Sequence, residues 1–450
     1  MKILVCVKVI KGEINPFDES ALECALRLSD DVTVVSMGPK STVSALKPLT
    51  RLGARVILIS DSIFAGSDTL ATSYILSTAI AKMEYDLILC GRQSVDGDTA
   101  QVGPMLSEML RLPLITNAME VSCSDNEVMA KTRIGEEMSK LPALVSVERG
   151  YVLRFPSIFS KEGVVDILDN TMLSCDVKRC GLAGSPTRVL ETFENERGRR
   201  KCKFISMDEL FPLIDELKKQ NTVDKKQEFK GQKLKSVWAV GKEVATVAKK
   251  IANEVTVIDK TTPYEIAQMA LKEKPQVILW NADIWGRKNA PVAAAMLNTG
   301  LCADCTALDS DGENLIMYRP AQGGNIIAKI KCLTYPQMAT VRTESKSSEI
   351  IVSGGRGISD KMDKLYAFAE KIGADIGASR GLVDMNKAPY DMQIGLTGRM
   401  VSPKIYIAIG ISGAVHHTCA IEGAKTVIVI NPDKNARIFE YADYGIVSAF

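Results

Sequence analysis

Three times along its length the chain runs the same rhythm: a short, nearly unbroken apolar stretch, a turn, then apolar residues at helical spacing. Residues 3–10, 32–38, 56–60 and 86–91 read as strands, with helices expected over 18–29 and 68–83. The rhythm restarts with strands at 237–241, 254–259 and 276–283, and again with 349–357, 404–414 and 425–430. Strands that are apolar without alternation are buried on both faces, which is the habit of parallel sheets covered by helices. The expected fold class is therefore α/β, with three doubly wound parallel-sheet units. In such sheets ligands bind beyond the carboxyl ends of the strands.

Between the first two units, residues 188–235 are dense in charge and poor in β-branched runs. One helix is signalled there by Ser-Met-Asp-Glu at 206–209, a capping-box pattern ahead of Leu210, Phe211, Leu213, Ile214 and Leu217. The net charge of +2 gives no argument for nucleic acid or an anionic membrane as partner. No run of apolar residues is long enough to span a bilayer. The opening MKILVCVKVI is interrupted by Lys8 and lacks a small-residue cleavage site, so it reads as a first strand and not a signal peptide. Eleven cysteines, an odd number, suit reduced thiols and a cytoplasmic location. Cys302 and Cys305 have CxxC spacing, but the chain has only two His, so these thiols, like Cys175 and Cys180, read as structural.

Two regions carry candidate chemistry. The run 90–104, CGRQSVDGDTAQVGP, follows a strand and precedes a helix. Gly91 and Gly97 allow tight turns, and Thr99 with the following N–H groups is expected at a helix N-terminus, where phosphate oxygens find donors. A nucleotide mono- or diphosphate is one reading; a capped helix without a ligand is the other. The third unit is denser. Glycine-rich turns at 353–357, 377–380, 393–399 and 410–417 would crowd one sheet edge and supply Arg356, Arg380, Thr397, Ser412 and His417. Each turn alone is weak, but four together point to a large anionic cofactor. There is no nucleophile elbow, Walker loop or zinc-ligand cluster.

These motifs carry a resemblance. SGGRG at 353–357, GASRGLVD at 377–384, QIGLTG at 393–398, the strand KIYIAIGISGA at 404–414 and ADYGIV at 442–447 resemble the FAD domain of electron-transfer flavoprotein alpha subunits. RPAQGGN at 319–325 and PQMATVR at 336–342 resemble the preceding alpha domain. VCVK at 5–8, NPFDE at 15–19, SMGP at 36–39, Asp68-Thr69, GRQ at 91–93 and the run through Gly103 and Pro104 are similar to the beta subunit, and GLAGSPT at 181–187 to its terminal arm. The resemblance implies beta and alpha subunits fused in one chain. It sets a beta-like domain with its arm at 1–188, a charged linker with one helix at 189–233, an alpha N-terminal-like domain at 234–347 and the FAD domain at 348–450.

The resemblance also implies roles. Arg380 would lie against the flavin, Thr397 would bond flavin N5, and His417 would reach flavin O2. Arg356, Gly357, Ser379, Gln393, Gly398, Ser412, Gly413, Asn431 and Asp443 would hold the rest of FAD. A second nucleotide, FAD or AMP, would sit on Cys6, Val7, Lys8, Asn15, Ser36, Gly38, Asp68, Thr69, Gly91, Arg92, Asp96, Gly97, Thr99, Gln101, Val102 and Gly103. The segments 64–69 and 95–103 look more like the electron-bifurcating group, which holds two FAD, takes electrons from NADH and feeds a low-potential ferredoxin or flavodoxin. The short turns at 11–14 and before Lys242 instead suit a simple carrier with one FAD and AMP. Either way the implied partner is a flavin-dependent dehydrogenase of the acyl-CoA or 2-hydroxyacid type. A hinge is expected near 345–349. Leu396 and His416 stand where the family usually has Gln, and Gln322 where it has an aromatic residue.

Overall fold

The computed structural model describes residues 1–450 except 125, 195–199, 220–230, 323–325, 344–347 and 396–397. The expected hinge and the position of Thr397 therefore lie mostly or wholly outside the described residues. The chain forms two compact units. One gathers residues 1–192, 229–322 and 327–342; the other gathers 193–228, 323–326 and 343–450.

The first unit contains two parallel sheets. Its seven-stranded sheet runs Val165–Leu168, Arg55–Ile59, Asp31–Met37, Lys2–Val7, Leu87–Gly91, Ala143–Val147, Leu114–Ala118, all parallel. Successive residues point to opposite faces, and both faces are buried: Ile3, Val5, Val34 and Leu89 pack on one side, Leu4, Val35, Ile59 and Ile88 on the other. This accounts for the unbroken apolar runs. The 3–10 stretch is not one strand, however. It breaks at Lys8, and Val9–Ile10 pairs back on Glu13–Ile14 in a small hairpin. The break is set by Asp18, which accepts the Lys8 N–H at 2.8 Å.

The second sheet of this unit runs Ala252–Ile258, Leu234–Val240, Val277–Asn281, Gln337–Val341, Leu301–Cys305, again parallel. The two sheets belong to one compact unit because their helices share a core. Leu70 and Met105 join Trp238, Ile266, Trp280 and Met338 in one apolar cluster. Removing each such side chain from water contributes about 1.5–3 kcal/mol. A four-stranded sheet runs Thr187–Glu194, Ile326–Cys332, Leu315–Ala321, Ala307–Ser310.

In the second unit a six-stranded parallel sheet runs Lys203–Phe204, Tyr444–Ile446, Thr426–Ile430, Ile405–Ile409, Ile350–Gly354, Asp375–Ala378. The stretch expected as a linker is more than that. It supplies the strand Thr187–Glu194 to the four-stranded sheet and the edge strand Lys203–Phe204 here. Its helix, Leu210–Lys219, buries Leu210, Ile214 and Leu217 against Ile350, Leu365 and Ile372. The capping signal is real in part: Glu209 accepts from the Ser206 N–H at 2.7 Å. Among the described residues no helix is long and apolar enough to cross a membrane, and no cluster of His, Cys, Asp and Glu is placed to hold a metal. All eleven cysteines are free.

Candidate functional site: two sheet edges

Each unit brings its glycine turns to one place by topology. In the seven-stranded sheet the chain winds outward from Lys2–Val7 through Asp31–Met37 to Arg55–Ile59, then returns to start Leu87–Gly91 on the other side. The crevice at this reversal, beyond the carboxyl ends, is where such sheets bind ligands. Cys6 lies opposite Cys90 in register, so Val7, Lys8, Gly91 and Arg92 face one another across it. Asn15, 1% exposed, donates to the Gln93 carbonyl at 2.9 Å and accepts from the Val95 N–H at 3.2 Å, shaping the 91–101 loop. Lys8 pairs with Asp96 at 2.7 Å, and Arg92 with the buried Glu148 at 2.6 Å.

The loop is held in unusual backbone: Asp98 and Ala100 have φ of 52° and 54°. Aspartate visits this region more readily than most residues, but alanine accepts it only when the surroundings fix it. The fixing group is Arg319. It donates from Nη1 to the Gly97 carbonyl at 2.7 Å and from Nη2 to the Asp98 carbonyl at 3.0 Å. Behind it lies Asp304, bonded to Arg287 at 2.9 Å and Arg342 at 3.0 Å. Burial opposes the Asp304 charge, but Arg287, Arg342 and Arg319 outweigh it and hold the carboxyl well below the usual range. Arg319 was visible only as the first letter of a resembling run; no local pattern shows that it reaches a loop more than 200 residues away.

Asp18 is the other group that sequence reading passed over. It sits on the buried face of the helix Pro16–Leu28 and accepts the N–H groups of Lys8 and Gly91, tying the two strand ends together. Gly91 must be glycine, since a Cβ there would lie 2.2 Å from the Asp18 carboxylate. Burial raises the Asp18 carboxyl to about 7 against those hydrogen bonds. A signal existed, a carboxylate on an apolar helix face.

Several expected ligands spend their side chains within the protein. Asp68 caps the helix Thr69–Ile80 and accepts the Thr187 hydroxyl at 2.6 Å. Thr69 donates to Gln101 at 2.8 Å, and Gln101 donates to the Leu301 carbonyl at 3.1 Å. Thr99 lies ahead of the helix Val102–Leu110, whose N-cap is Gln101. Gly103 allows close contact, because a Cβ would lie 2.9 Å from Cys90 Sγ. Ser36 is buried at the end of its strand beside Gly38, and its hydroxyl has no partner among the described residues.

In the second unit the winding reverses between Ile350–Gly354 and Ile405–Ile409. Two glycine turns meet at that crevice. The Gly357 N–H donates to the Gly410 carbonyl at 3.1 Å, and a Cβ on Gly355 would lie 2.1 Å from that oxygen. Arg356 is exposed, its stem lying over Gly381. Ser379 is the N-cap of Arg380–Asp384 but makes no side-chain cap bond, and Arg380 pairs with Asp384 at 3.2 Å. Gln393 is fully buried under Gly398, whose Cβ would lie 2.2 Å from its carbonyl oxygen. Ser412 is exposed, next to Gly413 at φ 88°. Asn431 donates to the Ile411 carbonyl at 2.8 Å.

Two expected ligands are engaged otherwise. His417 is buried with Nδ1 3.0 Å from the Ile394 carbonyl and Nε2 2.8 Å from the Tyr406 hydroxyl. Asp443 accepts the Val427 N–H at 2.8 Å and forms an ion pair with Arg200, a residue of the supposed linker.

Fold and site thus define a nucleotide-binding α/β protein with a glycine-lined crevice in each unit. The electron transfer flavoprotein domain matches residues 3–153 and again 239–356, and the electron transfer flavoprotein FAD-binding domain matches 345–422. The alpha subunit of an electron transfer flavoprotein from Thermoanaerobacterium thermosaccharolyticum is 39% identical over 229 residues, 40% of this chain and 69% of that one. The beta subunit from the same organism is 38% identical over 195 residues, 40% of this chain and 75% of that one. The acryloyl-CoA reductase electron transfer subunit beta of Anaerotignum propionicum is 33% identical over 337 residues, 55% of this chain and 89% of that one. The chain belongs to the electron transfer flavoprotein family and carries its FAD-binding domain, with likeness to both alpha and beta subunits. The second unit fits FAD in its own residues: backbone turns that only glycine permits, with the exposed Arg356 beside them.

Proposed function

We propose that this protein holds two nucleotides, FAD at the crevice of the second unit and a second FAD at that of the first, and works as an electron-bifurcating carrier that accepts electrons from NADH. The observation that carries the two-site reading is the reversal of winding in each sheet, with glycine turns at both crevices. The unpartnered buried hydroxyl of Ser36 supports a ligand at the first. FAD there, in preference to AMP, is supported by the segments 64–69 and 95–103, which the Thr69–Gln101 bond brings together.

A second reading has its own observation. The chain turns in two residues, Lys11 and Gly12, between Val9–Ile10 and Glu13–Ile14, and Gly241 caps Lys242–Ile251 directly. Short loops leave less protein to hold a nicotinamide, which favours AMP and a single-electron carrier.

Bound FAD supplies the redox chemistry. The chain's residues bind and orient it: Arg356 and Arg380 bring positive charge, and Gln393, Ser379, Ser412 and Asn431 bring polar contacts, with Thr397 four residues after Gln393 in sequence. The name of the Anaerotignum propionicum relative supports a flavin dehydrogenase of the acyl-CoA type as partner over a 2-hydroxyacid enzyme. Ferredoxin or flavodoxin would be the low-potential acceptor. Nucleotides released by heat and separated by chromatography test the reading. Two FAD per chain supports bifurcation; one FAD with one AMP replaces it by the simple carrier.

A further inference from the structure

We propose that Asp18 is a positioning residue of the first crevice and acts as an ionised carboxylate. By accepting one N–H from each of two neighbouring strand ends it sets the gap in which a nucleotide sits, so binding there weakens when the carboxylate takes up a proton. The role rests on the first unit holding a nucleotide.

The two bonds use different oxygens. Oδ2 accepts the Lys8 N–H at 2.8 Å, just past the strand Lys2–Val7, and Oδ1 accepts the Gly91 N–H at 3.1 Å, at the last residue of Leu87–Gly91. A backbone N–H can only donate, so both oxygens must accept. A carboxylate does this; a carboxylic acid, with a proton on one oxygen, keeps one good acceptor. Asp18 is itself fixed in place. It is buried in the first turn of Pro16–Leu28, and its own N–H bonds the Asn15 carbonyl at 2.8 Å. The Asn15 N–H bonds the Lys8 carbonyl at 2.9 Å, while the Asn15 side chain reaches Gln93 and Val95. The start of one helix thus holds two strand ends and the loop that leaves Gly91, and Asp18 is the group in this set that titrates.

Its charge is finely balanced. Burial opposes ionisation, hydrogen bonds from Lys8, Asn15 and Gly91 favour it, and the carboxyl ends at about 7. The charged and titratable side chains facing it are Lys8, already paired with Asp96 at 2.7 Å, and the thiols of Cys6 and Cys90, which burial keeps neutral. Arg92, next to Gly91, is paired with Glu148 at 2.6 Å. A proton on Asp18 therefore meets little resistance from its neighbours, and it costs one of the two strand ends its acceptor.

Full-length protein that keeps FAD in its second unit is titrated with AMP by calorimetry at several pH values from about 6 to about 8. With the carboxyl at about 7, roughly one molecule in eleven is ionised at the acid end and ten in eleven at the other, so AMP binds about tenfold more weakly in acid. The phosphate of AMP titrates near 6 too, and D18N cancels that effect because it shares it. D18N offers one acceptor and turns an NH2 group towards the other strand end. It should bind AMP about tenfold more weakly than wild type at the alkaline end, with the gap closing in acid. A wild-type to D18N ratio that stays constant over the range overturns the proposal, as does D18N with wild-type affinity. Where D18N does not fold, the amide signals of Lys8 and Gly91 in wild-type protein are followed by NMR: they should shift together with a midpoint near 7, and signals that do not move overturn the proposal. The underlying reading is checked separately, since a wild type whose first unit binds neither AMP nor FAD at the alkaline end refutes the nucleotide crevice itself.

Discussion

Replacing Arg319 by Met removes the two bonds that hold the carbonyls of Gly97 and Asp98. A hydrogen bond from a charged donor contributes about 1.5–3 kcal/mol where its acceptor is dry. Gly97 and Asp98 are only half-buried, so water recovers part of this and about 2 kcal/mol in total is expected. That energy is set against the left-handed backbone of Asp98 and Ala100, which relaxes once the guanidinium is gone. When the binding shape of a loop becomes a minor population, apparent affinity falls in proportion. R319M should therefore bind its second nucleotide about thirtyfold more weakly, with FAD in the other unit retained. Arg319→Lys supplies one point charge in place of a two-pronged donor and should fall between. Calorimetric titration of nucleotide-depleted protein with AMP and with FAD measures the loss. Wild-type affinity in R319M would show that the loop holds its shape without this clamp, and the argument from its backbone would fail.

His417 makes stability depend on acid. The folded ring takes a proton only near 4, because burial opposes its charge, whereas the unfolded ring does so near 6.5. The unfolded chain binds more protons between those values, so this contribution is intact above pH 6.5 and is lost towards pH 4, by about 3 kcal/mol. Urea midpoints followed over that range should fall more steeply in wild type than in H417Q, and parallel curves would sink the assignment. Gly355→Ala drives a methyl against the Gly410 carbonyl and should cost about 1–3 kcal/mol while loosening FAD. Thermal unfolding and flavin content check it; an unperturbed variant would mean the two turns need not touch.

Much of this protein was legible in its residues alone. Continuous apolar runs such as ILVCV and IYIAI demanded sheets buried on both faces, and the glycine turns after them marked the edges where ligands bind. Those are local properties, written in adjacent residues. The tertiary structure decided the rest, because it depends on which distant groups meet. The three parallel sheets are those the sequence led to expect, but the first two share one compact unit, since Leu70 and Met105 share a core with Trp280 and Met338. Charged residues near 200 looked like linker, yet Arg200 finds Asp443, and Lys203–Phe204 extends a sheet whose next strand is Tyr444–Ile446. His417 looked open at a glycine turn, but folding buries its ring between the Ile394 carbonyl and the Tyr406 hydroxyl. Arg319 became a clamp because folding carries it to two carbonyls that no periodicity could have pointed to. Patterns in sequence report burial and turning; partnership between remote polar groups exists only once the chain has closed on itself.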